Sequence, residues 1–511
     1  MWILLLIVLA CVVLGALLAD RMMPKTIGTP TSALPIAADA TELDRVLTPL
    51  LAEEPGRSGA LLMNDGLDAF AARVLATRSA GRSLDLQYYA WHDDLCGRLL
   101  ALEALRAAER GVRVRMLLDD MNASGLDQQF LSLDAHSNIE IRMYNPWRNR
   151  TGIRRLFESL VRAVRVNHRM HNKSWIADGR VAVVGGRNIG EEYFNAAPVT
   201  NFRDLDLLLM GPVVAGATAV FDRYWNSDQV VPLKALGKRD EQRLQQLVDE
   251  VQQQAQGKAA QTYLARVQAS SGVAAFLTKE LKPFWIDKIE VVADPPQKWR
   301  KDDREPWLIT RLVDVINSAS TTASLISPYF VPGATGSEGL QTLARKGVAV
   351  GVVTNSLAAN DVPAVHAGYS RYRKPLLAGG VDLYELRAMG NPASAGLFGS
   401  SGASLHTKAF VIDGSRGFIG SFNLDSRSAM LNTEMGVLFD DPDLGAALQA
   451  EYQRLAGPAL SYSVKLMPDQ QLRWEDASTQ PVQILEQEPE ASLPRRAIAA
   501  VLRWLPIETQ L

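Results

Sequence analysis

Two of the six histidines in this 511-residue chain stand in the same setting. His171-Asn172-Lys173 is followed by Asp178 and then by Gly185-Gly186-Arg187-Asn188. His406-Thr407-Lys408 is followed by Asp413 and then by Gly420-Ser421-Phe422-Asn423. Both copies fit His-x-Lys-x4-Asp-x6-Gly-Gly/Ser-x-Asn. With each fixed residue near one in twenty, one copy arises by chance with odds on the order of one in a hundred thousand. Two copies are therefore a signal. The chemistry they suit is that of a phosphate. An ammonium offsets its charge, an imidazole attacks phosphorus or moves a proton, and an asparagine amide donates to its oxygens. One copy alone could be a structural hairpin around a buried histidine; a pair points to one site that uses both.

The elements that must position these residues are strands. Ser174-Trp175-Ile176-Ala177 and Ala409-Phe410-Val411-Ile412 read as strands, so each His and Lys, two apart, point to one face. Asp178-Gly179 and Asp413-Gly414 read as hairpin turns, and Asn188 and Asn423 come at the ends of the return strands. The same order of elements is written twice. Strand 84–89, helix 97–110, strand 111–120 and strand 139–144 are matched by strand 323–330, helix 338–345, strand 347–355 and strand 380–386. Gly111 and Gly347 are 236 residues apart, and the two motif histidines are 235 apart. Such agreement between unrelated landmarks argues for duplication. Alternating strands and helices predict an α/β chain made of two sandwich halves facing each other across a pseudo-two-fold axis. The expected layout is a membrane anchor over 1–20, a first half over 40–230 and a polar helical connector over 231–300. A second half over 301–470 and a tail with an amphipathic helix over 471–511 follow.

The motif pair resembles the phospholipase D superfamily, and the likeness runs from about residue 84 to about residue 440. Gln87-Tyr88-Tyr89, Met170-His171-Asn172-Lys173, Gly185-Gly186-Arg187-Asn188, Thr354-Asn355-Ser356-Leu357 and Leu431-Asn432-Thr433-Glu434-Met435-Gly436 look like the bacterial cardiolipin synthases, the C-type branch above all. That resemblance implies two phospholipase D-type α/β/α halves and a two-step mechanism with no metal and no cofactor. One histidine forms a phosphohistidine, and the other protonates the leaving alcohol and then deprotonates the incoming one. Family precedent makes His171 the nucleophile and His406 the acid. Lys173, Lys408, Asn188 and Asn423 would stabilise charge on phosphate oxygens, with Gly186 and Ser421 in the same substrate-binding loops. Asp178 and Asp413 belong to the catalytic motifs, yet the family treats them as structural turn residues. Glu434 and Asp204 are then the carboxylates that orient the histidines. Asp206 shares a strand face with Asp204, and resemblance alone chooses between them. The implied partners are phospholipids, with phosphatidylglycerol as acceptor and phosphatidylethanolamine as donor, and the implied location is the bacterial inner (cell) membrane.

Composition bounds these readings. Apolar residues make up 47% and charged residues 22%, the balance of a folded chain, and the formal net charge of -2 disfavours a nucleic-acid partner. Two cysteines exclude a disulfide framework and a thiolate metal cluster. Residues 2–19 carry no charged or polar side chain, and eighteen residues span roughly 27 Å, enough to cross a hydrocarbon core. A single anchor is preferred over a cleaved signal peptide, and Arg21 and Lys25 bias the body weakly towards the cytoplasmic side. The stretch 142–169 holds eight arginines with Glu158 as its only acid and reads as a basic amphipathic surface for anionic lipid. Residues 493–505 read either as a second such helix or as a docking helix. His366 is a further candidate for substrate binding. The rivals to phosphatidyl transfer are a hydrolytic phospholipase D, a membrane-tethered nuclease and a non-catalytic membrane scaffold.

Overall fold

Each His-Lys motif runs directly into a tight hairpin. Asp178 and Gly179 take φ of 56° and 68°, and Asp413 and Gly414 take 51° and 72°, the paired left-handed conformations that an Asp-Gly turn supplies. These hairpins lie in a computed structural model that describes residues 28–511 apart from 124–125, 151, 239–240, 278–279, 281, 299, 301–306, 389–404 and 506–507.

The first sheet has nine strands: β1 (Ser58–Met63), β2 (Ser83–Tyr88), β3 (Arg113–Asp119), β4 (Ile139–Tyr144), β5 (Ser174–Ala177), β6 (Val181–Gly185), β7 (Asp206–Met210), β8 (Val230–Pro232) and β9 (Phe284–Ile286). Their order is β8-β4-β3-β2-β5-β6-β7-β1-β9. The second sheet has ten: β10 (Lys288–Ala293), β11 (Thr322–Ile326), β12 (Ala349–Asn355), β13 (Asp382–Leu386), β14 (Ala409–Ile412), β15 (Arg416–Gly420), β16 (Met435–Asp440), β17 (Ser461–Leu466), β18 (Leu472–Asp476) and β19 (Gln483–Leu485). Their order is β10-β16-β15-β14-β11-β12-β13-β17-β18-β19. Reversing that order superimposes β13-β12-β11-β14-β15-β16-β10 on β4-β3-β2-β5-β6-β7-β1, strand for strand. In both halves three strands are parallel and the motif hairpin runs antiparallel beside them. The duplication read from motif spacing is thus a duplication of sheet topology. Gly111 and Gly347 mark its period because each ends a helix in a left-handed conformation, φ 94° and 91°, before β3 and β12.

A single inner core joins the halves. Leu117, Met170, Ile176, Val184 and Leu207 of the first half pack in one buried cluster with Ile326, Val353, Leu405, Val411 and Met435 of the second. Helices Val213–Trp225 and Pro442–Ala456 contribute to it, while the remaining crossover helices cover the outer faces in two separate clusters. The stretch between the halves is more than a polar helical linker. Helices Glu241–Gln256, Lys258–Gln268 and Ser271–Leu277 pack on the first half, and β9 and β10 follow, separated only by Asp287. β9 adds to the edge of the first sheet and β10 to the edge of the second, so the chain passes between sheets at one residue. Among the described residues no helix is long and apolar enough to cross a membrane. The anchor expected at residues 2–19 lies outside the described residues.

Four of the eight arginines of the basic stretch 142–169 do not stand on the free cationic face expected of it, while Arg148 is exposed. Arg142 is buried and donates to the carbonyls of Trp225 and Thr29, Arg150 pairs with Asp120 and Asp127, and Arg162 pairs with Glu158. Arg169 pairs with Asp119 and lies over the Trp147 ring. These arginines are held inside the body, because buried guanidinium groups need acids and carbonyls rather than lipid. The side chains of Phe157, Leu160, Val161 and Val164 lie outside the described residues.

Candidate active site

The two motifs meet at isolated β-bridges between the halves. Met170 bridges Thr433 across the interface, and Leu405 bridges Arg203. The backbone N–H of His171 donates to Thr433 O at 2.8 Å, and that of His406 donates to Arg203 O, also at 2.8 Å. Each bridge sets a histidine beside the acid that follows its partner. His171 Nδ1 faces Glu434 Oε2 at 2.8 Å, and His406 Nδ1 faces Asp204 Oδ2 at 2.5 Å. The carboxylate that holds each imidazole therefore comes from the opposite half. With Nδ1 directed at a carboxylate, Nε2 of each ring carries the free lone pair or the transferable proton.

The supporting groups differ between the halves. Glu434 is fully buried; Ser421 Oγ donates to its Oε2 at 2.5 Å and Ser428 Oγ to its Oε1 at 2.9 Å. Gly186 occupies the place of Ser421 in the first half, and a Cβ there would lie 2.2 Å from Asp204 Oδ1. The absent side chain makes room for the carboxylate. Gly186 and Ser421, expected in substrate binding, thus stand against the two acids. Asp204 and Asp206 are now separated: Asp206 accepts from Arg73 at 2.9 Å and pairs with Arg187, leaving Asp204 to His406. Lys173 Nζ donates to His171 O at 2.6 Å, and Lys408 Nζ lies 3.0 Å from His406 Nδ1. Asn188 Nδ2 donates to Tyr193 Oη at 3.0 Å, whereas Asn423 Oδ1 is buried with no partner among the described residues. Tyr89 packs edge-on to His171, and Tyr193 edge-on to His406.

Asp178 and Asp413 lie in the turns, away from both imidazoles. Asp178 accepts from the backbone N–H groups of Gly81, Arg82 and Ser83, and Asp413 from those of Ser320, Thr321 and Thr322. Each clasps the chain entering its half's first parallel strand, which is the structural place that the resemblance gives these motif aspartates. His366 sits apart from the site, its Nε2 3.4 Å from Glu488 Oε1 and its ring against Tyr369. It joins the body to the carboxy-terminal segment.

The family model described as "Cardiolipin synthase, PLD-like domain" matches residues 76–225 and 312–456, one segment per half. Cardiolipin synthase C of Escherichia coli K12 is 40% identical over 471 residues, covering 91% of this chain and 99% of that one. The chain belongs to the PLD-like cardiolipin synthase family. A probable cardiolipin synthase of Bacillus subtilis is 24% identical over 78% of this chain and 66% of its own. The crystal structure of phosphatidylserine synthase from Haemophilus influenzae shares the fold, with a TM-score of 0.57 at 12% identity, over 89% of this chain and 95% of that one.

Within this cardiolipin synthase-family site, burial competes with neighbouring charges to set the state of each group. Burial, opposed only in part by Glu434, lowers His171 to about 4, so the imidazole is neutral near pH 7. Burial and the charges of Lys408 and Lys173 hold His406 well below its ordinary value. Burial and the Lys408 charge, against the attraction of Glu434, bring Lys173 down to about 7. Burial alone would raise Glu434, but His171, Lys173 and Ser421 outweigh it and leave the carboxyl below its ordinary value. For Asp204 burial wins over Lys408 and Arg187, and the carboxyl lies above its ordinary value. The two acids are thus electrostatically unlike.

The sequence pattern does not disclose the groups that brace Glu434. Glu434 N donates to Asp294 Oδ2, and buried Lys298 ties Asp294 to the carbonyls of Ser428 and Asn432. Both residues fall in the stretch taken for a connector, where no repeat pointed to them. His92, Asp94 and Glu192 bring donor atoms within 4.8 Å of one another, the spacing of a cation site. There Glu192 pairs with His92, and Asp94 caps helix Leu95–Glu109.

Proposed function

We propose that this chain transfers a phosphatidyl group between phospholipids to form cardiolipin, through a phosphohistidine on His171. The observation that carries the reading is the crossed pair His171–Glu434 and His406–Asp204, joined in one site by two buried lysines. His171 Nε2 attacks the donor phosphorus as the bond to the leaving alcohol breaks, and that alcohol takes a proton from Nε2 of His406, which enters the step as an imidazolium that Asp204 and the phosphodiester charge hold against burial and the lysine charges. His406 then accepts the proton of the acceptor hydroxyl, whose oxygen attacks phosphorus and releases His171. Lys173 and Lys408, with Asn188 and Asn423, stabilise charge on the phosphoryl oxygens. No metal or cofactor enters these steps.

The donor is phosphatidylethanolamine and the acceptor phosphatidylglycerol. An anchor over residues 2–19 holds the chain in the bacterial inner membrane. Water at about 55 M competes for the phosphohistidine, so transfer needs a site that excludes water and places the acceptor hydroxyl. Purified full-length enzyme given phosphatidylglycerol, with and without phosphatidylethanolamine, is expected to make cardiolipin as its main product. Phosphatidic acid as the main product under both conditions rejects transfer in favour of hydrolysis. Cleavage of DNA without lipid turnover rejects a lipid substrate.

A further inference from the structure

The carboxy-terminal segment is fastened to the body by polar groups and small apolar contacts, and it turns four large apolar side chains outward. Helix Leu493–Leu502 packs on helix Pro363–Ser370. Its buried face is Arg495 and Ala499, and Arg495 Nε donates to Leu357 O at 2.7 Å. Arg371 donates to Arg503 O at 3.0 Å and to Leu505 O at 2.8 Å. Beyond the helix, Leu511 O accepts from Arg427 N at 2.6 Å and Gln510 Oε1 accepts from Asn167 Nδ2 at 2.8 Å.

Against this fixed backbone stand four large apolar side chains in water. Trp504 is 88% exposed, Leu493 77%, Val501 65% and Leu505 43%. A mobile tail could expose such groups without consequence, but here the hydrogen bonds hold them out. Leaving a tryptophan and three aliphatic side chains uncovered forgoes several kcal/mol of burial, which marks a surface made to be covered. Of the three arginines in residues 493–505, Arg495 is buried and Arg496 donates to Glu488 O, whereas Arg503 is exposed next to Trp504, and the stretch holds no acid. Exposed apolar side chains with a tryptophan and an arginine at their boundary match the interface of an anionic bilayer.

The fastening points lead to the site. Asn167 lies four residues before His171, and its carbonyl accepts from Arg427 Nη2 at 3.1 Å. His168 Nδ1 lies 2.9 Å from Leu431 O, three residues before Glu434. The segment that carries the ridge is therefore joined to both strands of the His171–Glu434 crossing.

We propose that Leu493, Val501, Trp504 and Leu505 form a ridge that inserts into the interface of an anionic lipid bilayer and seats the catalytic site on the membrane. The purpose of that seating rests on the lipid-transfer reading; the insertion is testable without it. The full chain, carrying Cys11→Ser, Cys96→Ala and Trp504→Cys, is labelled at 504 with an environment-sensitive dye. It is then reconstituted into vesicles of phosphatidylglycerol and phosphatidylethanolamine containing a nitroxide lipid quencher. The dye at 504 is expected to be quenched and blue-shifted, while the same dye at Gln253→Cys, exposed on the connector helix, is not. A dye at 504 as unquenched as one at 253 overturns the proposal. So does a 504–504 cross-link between two chains without quenching, which assigns the ridge to a second copy. Trp504→Glu with Leu505→Glu is expected to lower turnover on vesicles about tenfold, while turnover of detergent-dispersed lipid stays within about twofold. Equal loss in both media also overturns it. Quenching at 504 in an enzyme that turns over no lipid supports the ridge and rejects the transferase reading instead.

Discussion

A neutral imidazole with Nδ1 on a carboxylate offers Nε2 as a nucleophile, and the partner acid stabilises the ring as charge develops. In this chain that acid is Glu434 for His171 and Asp204 for His406. The pairing gives a test of role. In a His406→Ala background, an aryl phosphodiester needs no proton on its leaving group, so the first step proceeds and the second stalls. Label is expected to accumulate on His171, and Glu434→Gln to slow that labelling about a hundredfold. Label at any other residue, or labelling indifferent to Glu434, defeats the assignment. The low value of His171 also links to folding. Its folded value of about 4 lies below the ordinary 6.5, so as the pH falls the unfolded chain takes up the proton first. The contribution is whole above pH 6.5 and is lost towards pH 4, by about 3 kcal/mol for this group. Denaturant titrations at pH 7 and pH 4.5 are expected to show a smaller drop in stability for His171→Gln than for the unaltered chain.

The hairpins and the parallel strands were legible as elements because their signals are local. Asp178-Gly179 and Asp413-Gly414 dictate the turn, and the alternation of β3 and β12 dictates the strand. The aspartates carry a second duty that crosses the sheet. Each holds three backbone N–H groups where the chain enters β2 or β11. Asp178→Ala and Asp413→Ala are each expected to lower unfolding free energy by about 1–3 kcal/mol while the rate per folded molecule stays within about twofold. Activity normalised to the folded fraction checks this; a large rate loss in a fully folded variant would return these residues to the chemistry. β10 was overlooked although Lys288-Ile289-Glu290-Val291 alternates as an edge strand should. A polar, helix-rich neighbourhood hid a short strand whose exposed face is charged. The basic stretch misled in the opposite direction: counting arginines cannot tell a solvated cation from one buried against Asp119 or Asp120.

At the scale of the whole molecule, the duplication makes one site rather than two. Each half contributes one histidine and the acid for the other histidine, and the inner core is continuous between them. Splitting the chain at Asp287, between β9 and β10, is therefore expected to leave each half inactive alone, with activity returning when both are expressed together. Activity in one half alone would refute the shared site.

By itself, the sequence determined that there are two matched halves, which histidines and lysines are candidates for one site, and where their hairpins turn. Those features depend on residues close along the chain, where spacing translates directly into geometry. Only the tertiary structure decided which acid serves which histidine, that Asp204 and not Asp206 is free to do so, and that Ser421 and Gly186 shape the acids' places. Those choices depend on strands more than two hundred residues apart in the chain meeting across a buried interface, as His406 and Asp204 do at |i−j| of 202. Pairing at that distance is set by packing of the two sheets on one core, which no local pattern encodes.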